Sequence, residues 1–494
     1  MIIDLDRTAH EYEERPSFGP RLQACHDRFM PAAPPTLADP ADPLGKLQRG
    51  LGSGYLWALD ADRTVSHALL VHCVFNDPRW DRQLDDRDDY HATLALDIAL
   101  DLDPLEGWLR DHDAEDRETA HDVLAVLGRM AIRGHAQARH VLREYVSYGA
   151  AWVRAVEALV GDGETARGGP PWPEVVGGLD RVLLERFATH DALAEALSGI
   201  DPRERPWTLW SVESTQIARA LALDHGHAAP VSRAWRPRER QVKPHEMYTV
   251  ELLAITESSR WAQIAEELAT RTTPYDVELL LAAANAPDLP MRRAAILALG
   301  HQGRREVLAI AEENTHQAQR GKLQGAIALA LEAMPLSQTR ALAHDWLTAD
   351  DWARRRKAAG MLATWAEDED LDPARSALAR ELDRGLDGDV YVVCSLAEAL
   401  GRCALHGPFD ELSRAYEEIP YSYGRRYVVS ALAAADPTFA GDVAVECLWD
   451  CERETRQHAA QLVDRRVRLA SQRLAELAAD EAQAASVRRA GAGG

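Results

Sequence analysis

Residues 291–300 read MRRAAILALG and residues 392–401 read VVCSLAEALG. In both, small and aliphatic residues recur at helical spacing and a Leu-Gly pair closes the run, the pattern of a helix with one tightly packed face. Related runs stand around them: KLQGAIALAL from Lys322, ARRRKAAGMLA from Ala353, RRYVVSALAA from Arg425 and RQHAAQLV from Arg456. Aligned on the Leu near each end, these runs place Leu299, Leu331, Leu362, Leu400, Leu432 and Leu462 at intervals of 32, 31, 38, 32 and 30 residues. After each anchor comes a turn and a second amphipathic run, such as REVLAIAEE, TRALAHDWL, RSALARELDRGL or FAGDVAVECL. A period in the low thirties that holds two helices cannot bury its own apolar face, so neighbouring units must stack. The expected fold class is all-α, a helical solenoid.

MRRAAILALG and VVCSLAEALG resemble the small-residue helix of HEAT repeats, where a basic residue, paired Ala and a closing Leu-Gly recur. The resemblance extends over residues 291–484 and belongs to the wider HEAT/armadillo type of α-helical repeat. It implies an α-α superhelix, with one helix layer outside and one lining a concave face. Earlier in the chain, LAVLG at 124–128 and VEALVG at 156–161 place Leu127 and Leu159 another 32 residues apart. Tyr427 and His458 stand near positions where small residues are usual.

The same reading divides the chain. Residues 1–45 form an expected extended arm, because PAAPPTLADPADP, residues 31–43, carries five prolines. Residues 46–164 follow as an N-terminal helical repeat region, and 165–248 as an irregular helical middle with a Pro/Arg/Trp-rich segment. The HEAT-like repeats occupy 249–484, and 485–494 reads as a flexible tail. Only 6% of residues are aromatic, so the core must be Leu, Ala and Val in thin helical layers.

Composition narrows the function classes. The 494 residues carry 56 basic and 79 acidic side chains, a formal charge of −23, with 46% hydrophobic and 27% charged residues. This is globular composition, not that of a disordered or collagen-like chain. A surface this acidic repels polyanions, so neither nucleic acid nor an anionic membrane is an expected partner. Mean hydropathy is −0.32, and no apolar run approaches the roughly 20 residues of a membrane span. MIIDLDRTAHEYEERP has acids where a signal peptide has basic residues, so a bacterial cytoplasm is the expected location. The six cysteines contain no C-x-x-C pair, and buried free thiols are expected rather than a metal site.

The candidate sites are few. SRAWRPRERQVKPH, residues 232–245, sets Arg233, Arg236, Arg238, Arg240 and Lys243 around Trp235 on a segment its prolines keep out of a regular helix. Arg beside Trp suits phosphate contact with stacking, and suits equally a partner protein or the chain's own acidic face. Trp207 and Trp210 stand nearby and could line a pocket or fill irregular packing. The chain's most acidic stretch, residues 81–118, holds 14 acids against 4 Arg, with Asp97 and Asp101 at helical spacing. It reads as a solvated face or a docking site for a basic segment; it lacks the glycine and terminal Glu of a calcium loop. His-Asp pairs at 26–27, 112–113, 121–122, 190–191 and 344–345 are scattered and assemble no metal-ligand set. No G-x-S-x-G, G-x-x-x-x-G-K-[ST] or G-x-G-x-x-G is present, and GLGSG at 50–54 reads as a turn.

These readings lead to a scaffold or adaptor that holds a protein or peptide partner on its concave face, leaning away from an enzyme, with no metal and no cofactor. Its candidate binding residues are Trp207, Trp210, Arg233, Trp235, Arg236, Arg238, Arg240 and Lys243. The alternative is a HEAT-like DNA glycosylase of the alkylpurine type, resembled in fold alone, or a helical-repeat enzyme handling a small molecule. The sequence leaves oligomeric state open.

Overall fold

Asp288, Asp351 and Asp389 each accept a hydrogen bond from a backbone amide in the turn that follows them. Three of the repeated runs therefore start at the same kind of N-cap, which satisfies an amide that helix geometry leaves orphaned. The structure, a computed structural model, describes residues 37–78, 87–160, 178–198, 200, 207, 210, 214–224, 245, 247–255, 261–315, 322–385, 388–480 and 483–493. Among these residues 77% are helical and none lies in a strand. They form 27 α-helices packed against their neighbours. The chain is all-α, as expected. Its described residues fall into two compact units, one drawn from 237–407 and the other from 35–236 together with 408–494.

In the 237–407 unit, five helices pack one on the next in chain order: Trp261–Ala269, Leu289–His301, Lys322–Ala333, Trp352–Trp365 and Val390–Arg402. Between them run Pro274–Ala283, Glu306–Thr315, Leu336–Leu347 and Leu371–Asp383, each packed on the helix that follows it. The first five are called inner helices below and the other four outer helices, after the layers of the expected superhelix. The anchors Leu299, Leu331, Leu362 and Leu400 are all buried. Gly300, from the closing Leu-Gly pair, explains the missing side chain: a Cβ there would lie 2.4 Å from the carbonyl oxygen of Ala330. The helices approach so closely that only glycine fits.

The second unit repeats that device. Gly128, at the end of LAVLG, sits where a Cβ would lie 2.9 Å from the Ala158 carbonyl oxygen, which joins the helices Arg117–Ile132 and Trp152–Val160. Another shared device is a buried arginine four residues after the N-cap. Arg355 donates to the carbonyls of Ala349 and Asp350 and to Glu381. Arg456 donates to the carbonyls of Asp450 and Cys451 and to Gln483. Arg355 thus ties its helix start to the helix Leu371–Asp383, and Arg456 ties its own to Gln483, just before the helix Ala485–Ala492.

In this second unit residues 49–52 meet residues 418–451. Arg425, buried on the helix Ser422–Ala435, donates to both oxygens of Asp450 at 2.7 Å and to the carbonyl of Arg49. Cys451 N donates to Gly50 O at 2.9 Å, and Arg49 Nε to Glu418 O at 3.2 Å. The glycines of GLGSG allow this approach, since a Cβ at Gly50 would lie 2.4 Å from Cys451 Sγ and one at Gly52 1.8 Å from Glu446 O. Gly50 has φ 68, a turn as expected, but Gly52 to Gly54 already belong to the helix Gly52–Asp60.

Some local readings change. Leu462 is 44% exposed, while Val463 beside it is buried; the last repeat slips by one residue. The acidic helix Arg87–Asp97 ends before Asp101, so Asp97 and Asp101 share no helical face. Ala99, with φ 48, breaks the helix there, and Arg63 and His67 bond the carbonyls of Ala99 and Ile98. The tail residues Ala485–Ala492 form a helix, with Val487 buried and Arg465 donating to the carbonyls of Ala490 and Gly491.

Candidate functional site

Of the residues singled out in the sequence, Trp207 and Trp210 are described and both are buried. Trp207 meets Trp152 edge-on at 6.0 Å and Trp210 edge-on at 5.2 Å, and Trp152 also meets Phe187 at 5.4 Å. Edge-to-face rings at this spacing are stable packing, and they present neither indole to solvent. Arg233, Trp235, Arg236, Arg238, Arg240 and Lys243 lie outside the described residues.

The acidic stretch divides into structural and solvated carboxylates. Asp89 is half-buried against Arg133 at 2.7 Å. Burial pushes its carboxyl up, but Arg133, Arg456 and Arg129 together outweigh this and hold it below its ordinary value. Asp97 accepts the Tyr55 hydroxyl at 2.5 Å, and Asp113 accepts the Tyr145 hydroxyl and the Ala150 amide, both at 2.6 Å. Asp101, Asp103, Asp111 and Glu115 are exposed.

A different cluster draws side chains from successive inner helices of the 237–407 unit. Glu332 ends Lys322–Ala333, Arg356 lies early in Trp352–Trp365, and Tyr391 and Glu398 lie on Val390–Arg402. The Arg356 guanidinium stands 4.0 Å from the Tyr391 ring centroid, a cation–π contact. Glu332 is partly buried over Gly360, where a Cβ would meet its Oε1 at 2.4 Å. Burial pushes the Glu332 carboxyl up to about 7, while Arg356 draws it down and Glu398 pushes it further up. Beside it, Trp365 donates its indole N–H to the Glu332 carbonyl at 2.6 Å and leaves its ring 43% exposed. Contacts between neighbouring helices thus set Glu332, Trp365, Arg356 and Tyr391.

Chemically, this stripe offers a carboxyl, a guanidinium and aromatic faces along three stacked helices. It can pair with charges of either sign and bury an apolar or cationic group. Lys357, next to Arg356, is buried with only a 3.4 Å contact from Nζ to the Ala353 carbonyl, and burial lowers its ammonium to about 8. Among the described residues, no group of three or more His, Cys, Asp or Glu could hold a metal ion. His344 bonds Asp370 at 2.8 Å rather than its sequence neighbour Asp345.

Sequence reasoning misses this stripe. Its members on neighbouring helices lie 24 to 42 residues apart, and only the packing of those helices brings them together. The signal in the sequence is slight: Glu332 directly follows the anchor Leu331, and Glu398 stands two before the anchor Leu400.

An all-α chain of stacked helix pairs, with a mixed polar and aromatic stripe across them, is as far as fold and site define the protein. Comparison with protein-family models, with curated proteins and with solved structures finds no match to this chain. No described helix is long and apolar enough to cross a membrane.

Proposed function

We propose that the chain is a HEAT-like repeat scaffold or adaptor of the cytoplasm, and that its inner helices line the concave face of a superhelix that holds a protein or peptide. The observation that carries this reading is the placement of Glu332, Arg356, Tyr391 and Glu398 on three successive inner helices. Repeat arrays recognise extended partners by presenting one set of side chains per repeat. Packed helices stand about 8–10 Å apart and extended chains rise about 3.3 Å per residue, so three helices face roughly six residues of a partner. The Arg356–Tyr391 pair is the kind of rigid Arg and aromatic anchor on which binding energy concentrates.

The glycosylase and small-molecule alternatives gain no comparable support, since Trp207 and Trp210 turn their rings into the protein. The test is affinity capture from the native lysate, with the intact chain and with Arg356→Glu as baits. A stoichiometric protein retained by the first and lost by the second supports the scaffold. The same proteins on both baits, or none on either, count against it.

A further inference from the structure

The inner helices Lys322–Ala333, Trp352–Trp365 and Val390–Arg402 end along one edge of the 237–407 unit. Two hydrogen bonds join their last turns: Trp365 Nε1 to Glu332 O at 2.6 Å, and Arg402 Nε to Ala363 O at 2.7 Å. The turn Glu367–Asp370 follows the second of these helices, and the short 3-10 turn Ala404–His406 follows the third. They lie side by side, because Cys403 Sγ donates to Glu367 O at 3.4 Å and His406 Nε2 meets Asp368 Oδ1 at 2.9 Å. The Trp365 indole is bonded back to the helix Lys322–Ala333, while Leu405 stands on the turn that Cys403 and His406 tie to Glu367 and Asp368.

Leu405 is 99% exposed, more than any other large apolar side chain described, and Trp365 is 43% exposed with its indole N–H held in place. A large apolar side chain held wholly in water gains by being covered. On the turn beside Leu405 the carboxylates of Glu367, Asp368 and Glu369 are 69%, 78% and 75% exposed. Arg340 reaches Glu367, Glu369 and the buried Asp370, and His344 also meets Asp370. One arginine thus faces four carboxylates, and Arg402 adds a second fixed positive charge. The carbonyl ends of three helices add negative potential.

We propose that this edge is a docking surface for a basic segment of another protein, one in which Lys or Arg flank an apolar side chain. The apolar residue packs on Leu405, and the flanking cations pair with the exposed carboxylates of Asp368 and Glu369. An apolar anchor inside a charged rim is the usual anatomy of a recognition site, and the sign of the rim selects the partner. The inference rests on the scaffold reading and names its partner's chemistry, on a surface beside the inner-face stripe.

The test uses the full chain and fluorescence anisotropy with three synthetic peptides. One has lysines flanking a central Leu-Phe pair, one has Ser in place of the apolar pair, and one has Glu in place of the lysines. The first should bind at least about tenfold more tightly than either control, and Leu405→Asp or the double change Asp368→Lys with Glu369→Lys should each weaken it about tenfold. These side chains are exposed, so an unchanged melting temperature shows that the variants fold. Binding untouched by both variants, or no preference for the basic apolar peptide, overturns the proposal. So does a Leu405→Asp variant that only turns an oligomer into a monomer, which makes a second copy the occupant. Loss of binding with Arg356→Glu but not with the edge variants also overturns it, while leaving the scaffold reading standing with its site on the inner face.

Discussion

Gly300 meets Ala330, thirty residues further along the chain, so closely that a Cβ on the glycine would lie 2.4 Å from the alanine carbonyl oxygen. Gly128 meets Ala158 at the same separation in sequence and nearly as closely, at 2.9 Å. The two contacts lie in different units, and in both a glycine after the anchor leucine lets one repeated helix press on the next. Close helix packing at a glycine is therefore shared by both units and is not a property of one stretch.

Gly300→Leu should consequently destabilise the protein by about 1–3 kcal/mol or more, because backbone cannot move aside as a side chain can. Gly107 is the control: it lies in the helix Asp103–His112, and a Cβ added there would meet nothing within 4 Å. Gly107→Ala should stabilise by about 0.5–1 kcal/mol through helix propensity. Urea denaturation of the two variants checks both signs.

Ala99 holds φ 48 at the end of the helix Arg87–Asp97, a conformation that favours glycine. Ala99→Gly should raise stability by about 0.5–1 kcal/mol, although glycine usually weakens folded proteins. The measurement is the shift in denaturation midpoint, and a fall would show that the turn carries no strain.

Arg425 and Asp450 are both buried and joined at 2.7 Å. Asp450→Ala should cost about 3–5 kcal/mol, since it leaves a guanidinium buried without its carboxylate. Because Arg425 also holds the Arg49 carbonyl, hydrogen exchange should show lost protection in residues 43–60 as well as around 450. Loss confined to the C-terminal helices would contradict the seam between residues 49–52 and 418–451.

Burial pushes the carboxyl of Glu446 up to about 7, as it does that of Glu332. The folded protein then keeps protons between 4.5 and about 7 that the unfolded chain releases. Folded states that bind more protons lose stability as pH rises, so these two groups lower stability across that window. Glu446→Gln and Glu332→Gln should each reduce the loss between pH 5 and pH 8, read as the change in urea midpoint at the two pH values. Asp276 works in the opposite sense: hydrogen bonds from the hydroxyls of Thr249 and Thr273 hold its carboxyl below the ordinary value.

Local pattern was legible and long-range pairing was not. Leu299, Leu331, Leu362, Leu400 and Leu432 are buried where the period of the low thirties put them, because a helix anchor depends only on its own amphipathic run and a neighbour of the same kind. Tyr427, out of place among small residues, is explained by Arg426, whose guanidinium stands 3.7 Å from the Tyr423 ring and 4.6 Å from that of Tyr427. The pairing of Arg425 with Asp450 and Arg49 had no sequence signal, since it depends on which distant segments of the chain meet. The same holds for Glu332, Arg356 and Tyr391, whose polar character says nothing of their neighbours until the repeats are stacked. The tail reads as frayed by composition, yet burial of Val487 keeps it helical.

The central claim is that the inner helices form the partner-binding face. Ser395 lies one turn from both Tyr391 and Glu398 on the inner helix Val390–Arg402, and Ala341 is exposed on the outer helix Leu336–Leu347. A photoreactive amino acid placed at each position in turn, in the native cell, reads out what touches each layer. A discrete protein adduct at Ser395 and none at Ala341 is the expected result. Equal adducts at both positions, or an adduct at Ala341 alone, would contradict the assignment of the inner face.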